Sequence, residues 1–351
     1  METDASNFGK GINVRHDKTH RRWDMERNMG QSATAQNAQG QDSSVVLQVM
    51  RNVAKAIIGK DSIILRTFLA ILAGGHILIE DIPGVGKTTL ALAFSKVLSL
   101  KYNRIQFTPD VLPSDVTGFS IYDKDTGAMK YSPGAVLCNL FLADELNRAT
   151  SRTQSALLEA MEEGQVTVDG VSHVIPQPFV VIATQNPVGA AGTQLLPDSQ
   201  MDRFMVRLSL GYPSHEDELS LLMRRHGRNL LDLVEPVLSG KGLEIMRNSV
   251  DNVHVDQSLL NYIVTIVGAT RKHPDLLLGA SPRASIALTG ISKAMAYVQG
   301  RDFVVPADIS PLVTDTLAHR LVLRPEAVND NVTAESILGE ILRSVSPPRI
   351  G

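Results

Sequence analysis

The sequence predicts an α/β fold, in which a core built on a mainly parallel five-stranded sheet is followed by a small all-helical domain. Five short apolar runs of strand length alternate mostly with segments of helical period, and such crossings produce parallel strands with helices on both faces. After Tyr212 and Pro213 the apolar residues keep helical spacing only. The predicted strands span residues 76–79, 103–107, 137–143, 179–184 and 204–210.

Length and composition agree with two domains. The 351 residues are 43% hydrophobic and 20% charged, as in a soluble globular chain. The formal net charge of -3 gives no bulk attraction to nucleic acid or anionic lipid. Cys138 is the single cysteine, which excludes an internal disulfide and a thiolate metal cluster. Because we find no signal-peptide core or apolar stretch of membrane-spanning length, we expect a cytoplasmic protein.

Three parts are predicted along the chain. Residues 1–43 end in a run rich in Gln, Ser, Ala and Asn and predict a flexible tail, in which Trp23 is either a docking contact or part of an unstructured arm. Residues 44–213 form the α/β core, and residues 214–351 form the helical domain. Within the core, FSIYDKDTGAMKYSPG and GQVTVDGVSHVIP carry turn residues between apolar positions, so each predicts a hairpin.

The segment EDIPGVGKTTL lies between the first predicted strand and a predicted helix. Gly84 and Gly86 allow the backbone to turn its N–H groups toward an anion, and the helix that follows adds its positive end. Lys87 can then reach the β and γ phosphates of a nucleotide, while Thr88 offers a hydroxyl to Mg²⁺. Asp81 stands where the strict phosphate-loop motif has its first glycine. A glycine-rich structural turn is the alternative interpretation.

Polar residues end the next two buried strands. NLFLADE closes on Asp144 and Glu145, which suit an anchor for Mg²⁺ and a base for the attacking water. Asn186 in ATQNP could hold that water, or it could only form a turn before proline. Arg203, just before the last strand, has the planar fork that suits developing phosphate charge, but surface arginines are common.

The order of GVGKTT, FLADELNRA, ATQNP, LPDSQMDRF and GASPRA resembles the AAA+ ATPases, and specifically the MoxR family, from about residue 44 to residue 344. The resemblance implies a P-loop core with a helical lid, and ATP with Mg²⁺ as cofactors. It places Mg²⁺ at Thr88 and Asp144, the catalytic residues at Glu145, Asn186 and Arg203, and nucleotide contacts at Ile58, Gly59, Pro83, Gly84, Val85, Gly86, Lys87, Thr88, Thr89, Asp144 and Arg283.

The resemblance also implies how the protein works. Arg203 would act as an arginine finger on the nucleotide of a neighbouring subunit in a homo-hexameric ring, although Arg148 or Arg152 could take that role. Arg283, as sensor 2, would let ATP close the lid. The implied activity is chaperone-like remodelling or maturation of partner proteins, typically ones with a von Willebrand factor A domain.

Two other functions stay open at this stage. One is a nucleic-acid motor, which the acidic net charge and a second hairpin without Lys, Arg or aromatic residues disfavour. The other is a nucleotide-gated scaffold with little turnover, which the presence of Glu145 disfavours.

Overall fold

The computed structural model describes residues 36–186, 196–224 and 229–349. Its strands are β1 (Ile77–Glu80), β2 (Tyr102–Gln106), β3 (Gly118–Asp123), β4 (Ala128–Pro133), β5 (Leu140–Asp144), β6 (Gln165–Val168), β7 (Val171–Val174), β8 (Val180–Gln185), β9 (Val206–Leu208), β10 (Leu276–Leu278) and β11 (Val322–Leu323). The central sheet has the order β2-β5-β8-β1-β9. All its neighbouring strands are parallel, so the predicted fold class is confirmed.

The helices begin after polar or proline-containing turns. Thr150, Asp256 and Ser281 each cap a helix by accepting a hydrogen bond from a backbone N–H group. The helices are α1 (Gln36–Ala56), α2 (Asp61–Leu72), α3 (Lys87–Val97), α4 (Pro113–Thr117), α5 (Ser151–Glu163), α6 (Asp198–Met201), α7 (His215–Arg224), α8 (Gly240–Asp251), α9 (Gln257–Thr270), α10 (Pro282–Val298), α11 (Pro306–Ile309), α12 (Val313–Leu317), α13 (Pro325–Asn329) and α14 (Ala334–Ser344).

The sheet separates two apolar clusters. Alternate side chains of a strand point to opposite faces, so Leu140 and Leu142 of β5 belong to one cluster while Phe141 and Ala143 belong to the other. Every residue of β5 and β8 is buried. Strands buried on both faces are near-continuous apolar runs, which is why the sequence predicts them clearly.

Two antiparallel hairpins project from the core, β3 with β4 and β6 with β7. Asp169 and Gly170 join β6 to β7 with φ angles of 50° and 78°, as a two-residue hairpin turn requires. The rings of Tyr131 on β4 and His173 on β7 stack with centroids 3.6 Å apart. The two hairpins therefore contact each other.

Two details differ from the prediction. Helix α1 begins at Gln36, so residues 36–43 of the expected flexible tail are helical; Val46, Val49 and Val53 bury one face of α1, and Gln and Ala extend it readily. The lid also contains a small antiparallel pair, β10 with β11, too short to predict from periodicity. Residues 1–35, with Trp23, lie outside the described residues. In the part of the chain that is described, no helix combines the length and apolarity of a membrane span.

Candidate active site

The glycine loop lies where β1 passes into α3. Gly84 and Gly86 have φ angles of 88° and 101°, in the region that favours glycine, and Gly86 is the N-cap of α3. A side chain at Gly84 would meet nothing within 4 Å, so the backbone conformation alone demands glycine there. The loop thus presents N–H groups and a helix amino end to an anion.

Lys87 is buried at the first turn of α3. Its Nζ donates to the carbonyl oxygen of Asp81 at 2.6 Å and to Oδ1 of Asn186 at 3.3 Å. Burial lowers the pKa of the ammonium, and the charges of Asp81, Asp144 and Glu145 oppose that shift. The carboxylates thus help to keep the buried cation charged beside the loop.

Asp81, the departure from the strict motif, uses its carboxylate elsewhere. The side chain accepts hydrogen bonds from the backbone N–H of Ile82 at 2.9 Å, the hydroxyl of Ser209 at 3.1 Å and the backbone N–H of Gly211 at 2.7 Å. It therefore ties the phosphate loop to the segment that leaves β9 toward the lid.

Asp144, at the end of β5, is held from three directions. Oδ1 accepts the hydroxyl of Thr184 at 2.6 Å, while Oδ2 accepts Nη2 of Arg104 at 2.8 Å and the hydroxyl of Thr88 at 3.4 Å. These bonds fix the carboxylate next to the loop. Sequence reasoning missed Arg104 because β2 is a partly exposed strand, in which an arginine is unremarkable.

The residues fit a bound Mg²⁺. The hydroxyl of Thr88 and the carboxylate of Asp144 are hard oxygen donors close to one another. Among the described residues, no group of three or more His, Cys, Asp or Glu side chains could hold a metal. Mg²⁺ usually takes one or two protein carboxylates and completes its shell with phosphate and water, so the donors Thr88 and Asp144 suit it.

Glu145 has a constrained backbone and a polar environment. Its φ of 55° lies in the left-handed region, which is uncommon for a residue with a side chain. Oε2 pairs with Nη1 of Arg148 at 2.8 Å, and Oε1 accepts Nδ2 of Asn186 at 3.2 Å. Burial raises the pKa of Glu145, but the hydrogen bonds from Arg148 and Asn186 outweigh it and lower the pKa below its usual value. The carboxylate is ionised at neutral pH.

Asn147 fixes the backbone of Asn186. The Asn147 side chain donates to the carbonyl oxygen of Asn186 at 3.2 Å and accepts from its N–H at 3.4 Å. Thr184 on β8 makes a second link to the end of β5, since its hydroxyl oxygen accepts the backbone N–H of Glu145 at 2.8 Å. Neither residue was predicted; their only sequence signal is a polar side chain at a buried strand end.

Ile58 and Gly59 lie between the phosphate loop and the lid. Gly59 has a φ of 73°, and a Cβ built on it would lie 2.1 Å from the carboxylate of Asp217 on α7. The neighbouring Lys60 donates to the carbonyl oxygen of Tyr212 at 2.8 Å. A nucleotide base placed here would contact the core and the start of the lid together.

Arg203 and Arg283 lie away from this site, at the opposite edge of the sheet, where its strands begin. Nη2 of Arg203 pairs with Oε2 of Glu162 at 3.1 Å, and Arg283 bonds the other oxygen of the same carboxylate. Just after Arg203, the N–H of Met205 donates to the carbonyl oxygen of His76 at 2.8 Å, before β1 begins. The arginines therefore lie at the amino ends of β1 and β9.

This placement puts Arg283, the predicted sensor 2, away from the phosphate loop of its own chain. From His76 to Glu80 the strand spans roughly 13 Å, at about 3.3 Å per residue, and the phosphate loop begins beyond Glu80. Helix α10 starts beside the last turn of α5, which brings Arg283 to Glu162 instead. Of the other candidate fingers, Arg148 lies inside its own site, and Arg152 is exposed on the first turn of α5.

Comparisons with known proteins agree with this architecture. The model of the ATPase family associated with various cellular activities (AAA) matches residues 76–206, and that of the AAA lid domain matches residues 268–341. The uncharacterized protein YeaC of Bacillus subtilis is 46% identical over 301 residues, which cover 86% of this chain and 94% of YeaC. Chaperone MoxR1 of Mycobacterium tuberculosis is 37% identical over 311 residues, covering 85% of this chain and 81% of MoxR1. A crystal structure from Cytophaga hutchinsonii, provisionally named an ATPase, aligns with a TM-score of 0.84 and 38% identity over 90% of this chain and 98% of that one.

Proposed function

This chain belongs to the MoxR family of AAA+ ATPases, and from that premise we propose that it hydrolyses ATP to ADP and phosphate with the help of Mg²⁺. One observation carries the proposal: Lys87, Asn186 and Glu145 form a continuous hydrogen-bonded chain beside the glycine loop. It brings a phosphate-binding cation, a water-orienting amide and a base to one place.

Nucleotide binding follows from the loop. Its N–H groups and the amino end of α3 hold the phosphates, and Lys87 gives up its bonds to Asp81 and Asn186 to reach the β and γ oxygens. Thr88 and Asp144 would hold Mg²⁺, which neutralises charge on the phosphate oxygens. Ile58 and Gly59 line the adenine side.

Water activation falls to Glu145. Arg148 and Asn186 each occupy one lone pair of its carboxylate, and each oxygen keeps another for the attacking water. Because the group stays ionised, it can accept the proton as the water attacks the γ phosphorus. Asn147 keeps the amide of Asn186 in place during this step.

The missing positive charge comes from a neighbouring protomer. Arg203 and Arg283 cannot reach their own phosphate loop, but a head-to-tail ring brings one edge of the sheet against the opposite edge of the next copy. Ile286, 72% exposed on α10 next to Arg283, is an apolar side chain that such a neighbour would cover. We assign six protomers to the ring, as the family resemblance implies.

We propose that ATP hydrolysis drives a chaperone-like action on partner proteins in the cytoplasm. The name of MoxR1 supports the chaperone role, and the family resemblance supports partners with a von Willebrand factor A domain. The hairpins offer exposed apolar side chains suited to a polypeptide, among them Ile121, Met129 and Val174. A nucleic-acid motor grips its strand with basic and aromatic side chains. The β3–β4 hairpin exposes Phe119 and Tyr122, but the β6–β7 hairpin exposes Val171 and Val174 instead.

The test compares Glu145→Gln with wild type, and with Glu326→Gln as a control for charge at an exposed lid position. We expect wild type and Glu326→Gln to release phosphate at the same rate. Glu145→Gln should keep ATP affinity and lose turnover by about 10² or more. Equal turnover in all three proteins would remove Glu145 from the mechanism. The ATP-bound Glu145→Gln protein is also the bait for a partner pull-down, because slow hydrolysis keeps it in the ATP state for longer.

A further inference from the structure

The carboxylate of Glu162 lies between two arginines. Oε2 pairs with Arg203 at 3.1 Å and Oε1 bonds Arg283, so each oxygen serves one guanidinium. Glu162 is in the last turn of α5, Arg203 precedes β9, and Arg283 is in the first turn of α10. One side chain therefore joins three segments at the edge of the sheet that faces away from the phosphate loop.

The surroundings carry more basic than acidic side chains. A cavity of about 310 Å³ is lined by Glu162, Arg203, Arg283, Asp202 and Arg320, among others. Asp202 is already engaged, because it pairs with Arg320 and accepts the hydroxyl of Ser281. Glu162 is thus left to balance Arg203 and Arg283 together.

Arg203 has donor capacity that Glu162 leaves unused. Its Nε is buried and makes no hydrogen bond, although its Nη2 is paired. A carboxylate offers two acceptor oxygens in one plane, whereas a phosphate offers three around a centre and carries more charge. The cluster is therefore better matched to a phosphate than to the carboxylate it holds.

We propose that Glu162 stands in for the γ phosphate of the neighbouring protomer, holding Arg203 and Arg283 until that phosphate displaces it. The inference rests on the proposed function, since it needs ATP bound across a protomer boundary. Partly exposed ion pairs are weak, so a triphosphate can replace this one readily. Glu162 is a positioning residue that sets how much ATP is needed to engage the arginines.

Glu162 also lies next to the base of a hairpin. Helix α5 ends at Glu163 and Gly164 caps it with a φ of 64°. The carbonyl oxygen of Gly164 accepts the N–H of Ile175, which follows β7 at the base of the β6–β7 hairpin. Tyr131 and His173 stack between the two hairpins. Glu162 therefore belongs to the helix turn that leads directly into the β6–β7 hairpin.

The experiment measures steady-state ATP hydrolysis by Glu162→Gln, with Glu163→Gln as the matched control. Glu163 is the next residue on α5 and is exposed, so its substitution removes the same charge from the same turn. We expect Glu162→Gln to lower KM for ATP by about threefold, the size typical of partly exposed ion pairs, with little change in kcat. Glu163→Gln should match wild type.

Glu162→Asp separates charge from shape. If the charge of Glu162 competes with the phosphate, Asp keeps a KM close to that of wild type while Gln lowers it. If Glu162 only shapes the cluster, the isosteric Gln resembles wild type and the shorter Asp deviates, which overturns the proposal. A fall in kcat for Glu162→Gln as large as that of Arg203→Ala also overturns it.

The outcomes distinguish the inference from the proposed function. Wild type without ATP hydrolysis, or with turnover that Glu145→Gln does not reduce, contradicts the proposed function. If wild type hydrolyses ATP in a Glu145-dependent way, but Glu162→Gln and Glu163→Gln have identical KM values, only the proposed role of Glu162 is contradicted.

Discussion

Mixing inactive variants tests whether the active site is shared between protomers. Lys87→Ala removes the phosphate-binding cation from one edge of the sheet, and Arg203→Ala removes a guanidinium from the other. We expect each variant alone to form inactive rings, since an arginine finger contributes about 10³ to 10⁵ in rate. Mixed rings should regain activity, because some boundaries then join an intact loop to an intact arginine.

The expected gain follows from counting boundaries. A boundary is complete only when an Arg203→Ala protomer supplies the loop and a Lys87→Ala protomer supplies the arginine. With random assembly from equal amounts, about one quarter of the boundaries in a ring meet this condition. Phosphate release should therefore reach about one quarter of the wild-type rate at equal proportions, and fall on either side of that ratio.

The structure also supplies the control for this experiment. Arg203 and Arg283 share one carboxylate and so belong to the same face of the protomer. A mixture of Arg203→Ala with Arg283→Ala should stay inactive at every ratio, whereas Arg283→Ala with Lys87→Ala should recover like the first pair. Recovery of phosphate release in the mixture of Arg203→Ala with Arg283→Ala would place Arg283 in the active site of its own chain. No recovery of the Lys87–Arg203 pair, in rings shown to exchange protomers, would refute the shared site.

Three further results are expected. Gly59→Val should weaken ATP binding at least tenfold in a calorimetric titration, because φ is 73° and the new Cβ would lie 2.1 Å from the carboxylate of Asp217. Gly268→Ala is the control and should bind ATP normally, because there is open space around Gly268. Equal ATP affinities of the two variants would contradict a role for Gly59 beside the base. Arg148→Ala should raise the pKa of Glu145, shifting the acidic limb of the pH–rate profile upward; an unmoved limb would show that Arg148 does not hold the carboxylate. Burial lowers the pKa of His76 to about 4, so the unfolded state binds more protons at this histidine below pH 6.5. We expect His76 alone to contribute a fall of about 3 kcal/mol to the free energy of unfolding between pH 6.5 and pH 4. Urea titrations of wild type and His76→Gln measure that part of the slope, and identical slopes would count against it.

The sequence predicts the sheet and the loop because their signals are local. A strand buried on both faces is an apolar run, and glycines before a Lys-Thr pair mark the turn into α3. The parallel sheet then places the ends of β1, β5 and β8 at one edge, which brings Lys87, Asp144 and Asn186 together without further information.

The remaining parts of the site depend on packing that no short segment encodes. Arg104 reaches Asp144 only because β2 is the neighbour of β5 in the sheet. Asp81 finds its partners on the strand exit of β9, 128 and 130 positions away. A motif identifies Arg283 because it specifies a residue type, whereas the edge to which α10 brings this arginine is a property of the whole fold.

In the ring that we propose, the two edges of the sheet carry complementary parts of one active site. The loop edge carries the phosphate-binding residues and the base, but within the described residues its arginines, Arg104 and Arg148, are already paired with Asp144 and Glu145. The opposite edge carries Arg203 and Arg283 with Glu162 as their counter-charge. The arginines of each edge thus have a carboxylate partner in the isolated chain, although on the opposite edge one carboxylate serves two guanidinium groups. In the mechanism that we propose, a neighbour's phosphate must outcompete Glu162, which would make hydrolysis conditional on assembly.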